Sequence, residues 1–213
     1  MTARVRVLLV DDHAVVREGY RRLLEREPDI EVIGEAGDAT QACERALALG
    51  PDVVVMDIAL PGSSGIEAMR QMLSEQPQLR VLMFSIHDDA IFSSRTIQAG
   101  ALGYLSKASA PEVLLEAIRA VSKGDMYVSP DVAANMTRSA SSSEQSVLET
   151  LTAREFEVLR FLVQGETLKD IATRLGISEK TVANHQSAIR EKLGAKNDIQ
   201  LARLGTRFWL SSE

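Results

Sequence analysis

With a single cysteine, Cys43, the chain cannot form an internal disulfide. That suits a reducing compartment and leaves the thiol a packing role beside Ala42, Ala46 and Leu47 in a predicted helix. No apolar run approaches the roughly 18 residues that a membrane span needs. The first residues lead straight into a predicted strand, so no signal peptide is expected and the cytoplasm is the expected location. Strong basic charge is absent too: the formal net charge is -6. Residues 1–146 carry 14 basic and 21 acidic side chains, and residues 147–213 carry 10 and 9. Nucleic-acid binding through bulk charge is excluded; it would need a local basic surface. What remains is 45% hydrophobic and 25% charged over 213 residues, the composition of a globular protein of one large or two small domains.

Four apolar runs each stop on polar chemistry. Residues 5–10 stop at Asp11 and Asp12, 53–56 at Asp57, and 81–84 at Ser85, while 102–105 lead through Ser106 to Lys107. Short apolar runs of this kind read as strands buried on both faces of a parallel sheet. Between them lie amphipathic segments at about 14–26, 40–49, 66–73, 89–99 and 111–123, with a further strand at 31–36. Gly50 with Pro51 and Gly100 mark helix ends, and Pro111 suits a first helical turn. The alternation predicts a doubly wound α/β domain of five parallel strands over residues 1–125. In such a sheet the ligand site lies beyond the carboxyl ends of the strands. Three carboxylates, a hydroxyl and an ammonium are therefore expected at one sheet edge.

Packed carboxylates repel one another, and a hard divalent cation relieves that repulsion. An aspartate can also act as a nucleophile and form an acyl phosphate. Asp57, on the middle strand, is the expected acceptor. Asp11, Asp12 and Asp57 are expected to hold Mg²⁺, with a backbone carbonyl near Ala59 and water completing its shell. Lys107 offers a point charge to one phosphoryl oxygen and Ser85 a hydrogen bond to another. His13 and His87 lie nearby, but no ligand spacing includes them, and both read as loop or cap residues.

Leu9-Val10-Asp11-Asp12-His13, Met56-Asp57, Leu60-Pro61-Gly62, Ser85 and Gly103-Tyr104-Leu105-Ser106-Lys107 resemble the receiver domain of two-component response regulators, over about residues 4–123. The resemblance implies a flavodoxin-like fold and phosphorylation of Asp57 by a partner histidine kinase. It implies Mg²⁺ at Asp11 and Asp12, a phosphate contact from Lys107, and Ser85 and Tyr104 moving together as a switch. Many receivers place proline after the lysine; here Ala108 follows.

Residues 126–147 change composition, with four serines between Ser139 and Ser143, and read as a linker containing a short helix at 131–136. Residues 148–213 show no strand signal and predict four helices at 153–164, 168–175, 179–193 and 199–209. The second and third are joined by Gly176-Ile177, and Ser178 is a good N-cap. Val182, Ile189 and Leu193 lie on one stripe of the third helix; Lys180, Ala183, Asn184, Ser187 and Glu191 lie on the other. This is the helix-turn-helix pattern, with the polar face directed at a major groove. Lys180, Thr181, Lys192 and Lys196 are expected at phosphates, and Asn184 and Ser187 at base edges. His185 falls beside the stripe as a half-buried structural residue, and Arg154 with Glu155 reads as a charged pair.

Leu151-Thr152-Ala153-Arg154-Glu155, Val158-Leu159, Ile171-Ala172, Leu175, Ser178 to Val182, His185 and Lys192-Leu193 resemble the LuxR-type DNA-binding domain. Receiver plus this domain is the NarL/FixJ architecture. It implies a transcription regulator, not a metabolic enzyme, that dimerises on phosphorylation and binds a promoter with two half-sites. Asp198 stands where a basic residue is frequent, so a backbone contact there is expected to be weaker. Two rivals differ in class. An aspartate-nucleophile phosphatase usually needs a second acid two residues after the nucleophile, where Ala59 stands. A phosphorylation-independent regulator would not need the intact acid set.

Overall fold

Every strand of the N-terminal sheet runs parallel to its neighbours, in the order β2-β1-β3-β4-β5-β6. The computed structural model describes residues 4–61, 63–86, 90–139 and 150–210. Among these, the strands are β1 (Val5–Val10), β2 (Ile30–Ala36), β3 (Val53–Met56), β4 (Val81–Ser85), β5 (Gly103–Ser106) and β6 (Tyr127–Val128). All of β3, β4 and β5 is buried, as expected of apolar runs covered on both faces. The connecting helices are α1 (Ala14–Leu24), α2 (Ala39–Leu49), α3 (Gly65–Glu75), α4 (Ala90–Gln98) and α5 (Pro111–Lys123). The Asp38 side chain caps α2 by accepting the Gln41 N–H, and Gly50 ends it in the left-handed conformation, with φ 54°. One apolar layer gathers Leu9, Val55, Phe84 and Leu105 of the sheet against Leu114, Ile118 and Val121 of α5.

The sixth strand lies within the expected linker. Tyr127 N–H donates to the Leu102 carbonyl and Ser129 N–H to the Tyr104 carbonyl, each at 3.1 Å. A two-residue strand is too short to show an alternating pattern, which is why composition pointed to a linker there. It leads into α6 (Pro130–Ser139), longer than the expected 131–136. Residues 127–128 and 130–139 of the expected 126–147 linker are thus strand and helix; the serine run beyond Ser139 lies outside the described residues.

The chain divides into two compact units, 1–136 and 137–213. The second contains α7 (Ala153–Val163), α8 (Leu168–Leu175), α9 (Glu179–Lys192) and α10 (Asp198–Leu210). Thr152, Thr167 and Ser178 cap the first three by accepting backbone N–H groups from Glu155, Asp170 and Thr181. Glu155 returns a bond to the Thr152 N–H, completing a capping box. Gly176 (φ 62°) permits the turn between α8 and α9. The core includes Phe156, Leu159, Ile171, Leu175, Val182 and Ile189.

Candidate functional site

Strand order reverses between β2-β1 and β3, so the crevice falls at the carboxyl ends of β1 and β3. The ladder carries each functional residue just past its strand. Asp11 N–H donates to the Ala36 carbonyl at 3.1 Å, Asp57 N–H to Val10 at 2.8 Å, and Lys107 N–H to Ser85 at 2.7 Å. Asp11 and Asp57 are buried at 6% and 5% exposure. The Lys107 ammonium lies 2.5 Å from Asp57 Oδ2 and also bonds Asp11 Oδ2. Asp57 Oδ1 accepts the Ala59 N–H at 3.3 Å, and Asp11 Oδ1 the His13 N–H at 2.8 Å. Phe84 lies under the ammonium, 6.0 Å from ring centroid to Nζ, and Tyr20 packs edge-on to Phe84.

Ser85 and Tyr104 are fully buried, at the end of β4 and within β5. Tyr104 pairs in register with Met83 on one side and Val128 on the other. The structure thus joins Asp11, Asp57 and Lys107 in direct contact and places Ser85 and Tyr104 on the adjoining strands. Burial pushes the Asp57 carboxyl above its usual range, and Lys107 offsets only part of that. Burial alone would lower Lys107, but Asp57 and Asp11 outweigh it, so its pKa is raised and the ammonium stays charged at neutral pH.

The donor chemistry fits a hard cation. Two carboxylates, Asp11 and Asp57, bond one ammonium, and Asp12 Oδ1 is buried without a hydrogen bond although His13 Nδ1 lies 2.7 Å away. Among the described residues, one group of three potential metal ligands occurs: Asp11, Asp12 and His13, whose ligand atoms lie within 4.8 Å of one another. His13 is the N-cap residue of α1, with a side chain 69% exposed. His87 and Gly62 lie outside the described residues.

Two residues of the site gave no signal in the sequence. A Cβ at Gly65 would lie 2.0 Å from the Asp57 carbonyl oxygen, so the first turn of α3 can pack on the end of β3 only with glycine there. Arg17 donates from Nη1 to the Asp11 carbonyl. Each depends on a close approach in space between elements, which periodicity does not encode.

In the second unit, Lys180, Asn184, Ser187 and Lys196 are exposed, and Thr181 and His185 are half-buried. The Thr181 and Ser178 hydroxyls are 2.8 Å apart. The Ser187 hydroxyl donates to the Ala183 carbonyl at 3.0 Å. Lys192 bonds Glu155 Oε2 at 2.6 Å, so its ammonium ties α9 to the start of α7. Arg154 does not pair with Glu155 as expected. It pairs with Glu157 at 2.8 Å and donates to the Leu175 carbonyl, because Glu155 is turned back into its own capping box. Asp198 accepts from Gln186 and Arg190, which fastens α10 to α9.

Residues 7–119 match the response regulator receiver domain, and residues 149–204 match the bacterial regulatory proteins of the luxR family. The chain is 36% identical over 208 residues to response regulator UvrY of Escherichia coli O6:H1, covering 97% of this chain and 95% of that one. It is 42% identical over 202 residues to transcriptional regulatory protein LiaR of Bacillus subtilis, covering 93% and 95%. Among solved structures it is similar to RcsB from Salmonella enterica serovar Typhimurium bound to promoter P1flhDC in the presence of the phosphomimetic BeF3-. That match has a TM-score of 0.66 and 26% identity, and covers 96% of this chain and 99% of that one.

Proposed function

The chain belongs to the two-component response regulators that join a receiver to a LuxR-type helix-turn-helix, and we propose that phosphorylation of Asp57 controls its binding to promoter DNA. The observation that carries this reading is the contact of Lys107 with both Asp57 and Asp11. A buried nucleophilic carboxylate needs its charge balanced before a second anion approaches. The sheet supplies that balance from a third strand.

An Asp57 carboxylate oxygen attacks phosphorus, forming an O–P bond as the P–N bond of a kinase phosphohistidine breaks. The imidazole leaves with the electron pair and takes up a proton. Lys107 holds charge at one phosphoryl oxygen, and Ser85 donates its hydroxyl proton to another in a hydrogen bond. Mg²⁺ bound by Asp11, Asp12, Asp57 and the Ala59 main-chain carbonyl would neutralise the remaining phosphoryl charge. Water later cleaves the acyl phosphate and restores the carboxylate. Beyond this self-phosphorylation and dephosphorylation the protein has no metabolic activity.

Drawn toward the phosphoryl group, Ser85 vacates space that Tyr104 takes up, and the surface around α4 and β5 changes. Two copies then pair and bind a promoter with two half-sites through α9. Lys180, Thr181 and Lys196 face phosphates there, and Asn184 and Ser187 face bases. Lys192 faces a phosphate only where its bond to Glu155 is given up. We place the end of the receiver within α6, not at residue 125, because β6 completes the sheet; the DNA-binding domain takes residues 148–213. No helix among the described residues is long and apolar enough to cross a membrane; the cytoplasmic location is part of the proposal and rests on the family.

The test is incubation with Mg²⁺ and a small phosphodonor. An acid-stable label that hydroxylamine removes is expected on the wild type and not on Asp57→Asn, and beryllofluoride should raise promoter affinity. Label retained on Asp57→Asn contradicts the assignment.

A further inference from the structure

Asp11 is held by its main chain from two sides. Its N–H is bound by Ala36 of β2, and its carbonyl accepts from Arg17 Nη1. Arg17 lies on α1, with a side chain only 17% exposed, and its Nε sits 3.3 Å from Glu35 Oε2. Glu35 directly precedes Ala36 on β2. The guanidinium therefore bridges the turn after β1 to the strand beside it, and one residue pair of β2 fastens both ends of the bridge.

We infer that Arg17, oriented by Glu35, is a positioning residue for the Mg²⁺ site. The inference rests on the reading of Asp11 and Asp12 as cation ligands. The carbonyl that Arg17 holds belongs to the peptide linking those two residues. A carbonyl on a residue 6% exposed needs a donor. Without Arg17, that peptide turns to find another, and the Asp12 carboxylate turns with it. Glu35 has a second effect: its carboxylate, which Arg21 Nη1 also reaches at 3.4 Å, offsets part of the guanidinium charge that would otherwise repel the cation. Lysine cannot replace arginine here, since one ammonium lacks the planar fork that reaches carbonyl and carboxylate together.

The test titrates the full-length protein with Mg²⁺ in a calorimeter and follows the rise in Tm that Mg²⁺ produces. Arg17→Ala should weaken Mg²⁺ binding about tenfold or more, as loss of an outer partner of a metal site commonly does. Glu35→Ala should weaken it by less. Arg17→Lys keeps the apolar stem and the charge, so a merely structural role requires wild-type affinity from it, whereas positioning requires a loss close to that of Arg17→Ala. Wild-type affinity in folded Arg17→Ala or Arg17→Lys overturns the inference. Should neither fold, Glu35→Ala decides, and wild-type affinity there overturns it. Asp12→Ala separates the two levels. If it too binds Mg²⁺ normally, the metal site itself is misassigned and both fall; if it loses Mg²⁺ while the Arg17 variants do not, only the positioning role falls.

Discussion

The Asp57 carbonyl oxygen stands 2.0 Å from where a Cβ on Gly65 would be. Gly65 N–H meanwhile donates to the Ile58 carbonyl at 2.8 Å, and the preceding Ser64 caps α3. The first turn of α3 is thus packed directly against the peptide of the phosphoacceptor. Gly65→Ala should push the two apart, with an overpacking cost of about 1–3 kcal/mol. Chemical denaturation should show that loss, and phosphorylation by a small phosphodonor should slow, because the Asp57 carboxylate moves away from Lys107. Unchanged stability and rate would mean that the loop yields without moving Asp57.

Asp57→Asn should stabilise the receiver while abolishing phosphorylation. Burial raises the folded pKa of Asp57 above its unfolded value. Such a group contributes its full stability below the unfolded pKa and loses it as pH rises through the folded one. At neutral pH the ionised carboxylate therefore opposes folding, and asparagine removes that opposition while Lys107 keeps Asp11 as a partner. The midpoint of thermal unfolding should rise by about 2–4 °C per kcal/mol relieved. The advantage should shrink in acid, where wild-type Asp57 is itself neutral. A variant less stable than wild type at pH 7 would falsify this account.

Asp11, Asp57 and Lys107 could be read as neighbours from sequence because their position follows from one rule: each ends a buried strand of a parallel sheet. The helix cap at Ser178 is equally local, set by one side chain and the N–H three residues on. What could not be read depends on partners far away in the chain. Whether Glu155 meets Arg154 or Lys192 is decided by how α9 crosses α7, and β6 exists only because β5 has an open edge. Arg17 shows the same limit: its position on an amphipathic helix says nothing of the carbonyl it reaches.

Lys192 should matter more for folding than for DNA. Burial disfavours the Glu155 charge, but Lys192 and the Thr152 N–H outweigh it, and the Glu155 pKa is lowered. That contribution is present above the usual glutamate range and is lost as pH falls through the lowered folded value. Lys192→Met leaves a buried carboxylate without its cation and should cost about 1–3 kcal/mol. The loss should appear in unfolding of the C-terminal unit and fade in acid. A folded Lys192→Met whose only defect is a smaller salt dependence of DNA binding would restore Lys192 to the phosphate contacts.

Truncation tests the end of the receiver. A fragment of residues 1–125 lacks β6 and exposes the β5 edge, an invitation to intermolecular pairing. A fragment of residues 1–138 keeps the bonds from Tyr127 to Leu102 and from Ser129 to Tyr104. The longer fragment should unfold at higher temperature and remain monomeric at concentrations where the shorter one associates. Equal melting and equal solubility would return the boundary to residue 125.

Lys180 and Asn184 lie on the same exposed face of α9 but should fail differently. A lost phosphate contact weakens all sequences alike and lowers the salt slope by about one unit. A lost base contact costs roughly 1–3 kcal/mol on the preferred site and little elsewhere. Lys180→Ala should therefore reduce binding uniformly, and Asn184→Ala should flatten the preference between the promoter and a scrambled duplex. Ser187→Ala should have a smaller effect, since its hydroxyl is already bonded to the Ala183 carbonyl. Measurements at several salt concentrations separate these outcomes. If Asn184→Ala leaves the preference intact while Lys180→Ala changes it, α9 enters the groove rotated about its axis; if neither affects binding, α9 does not enter the groove.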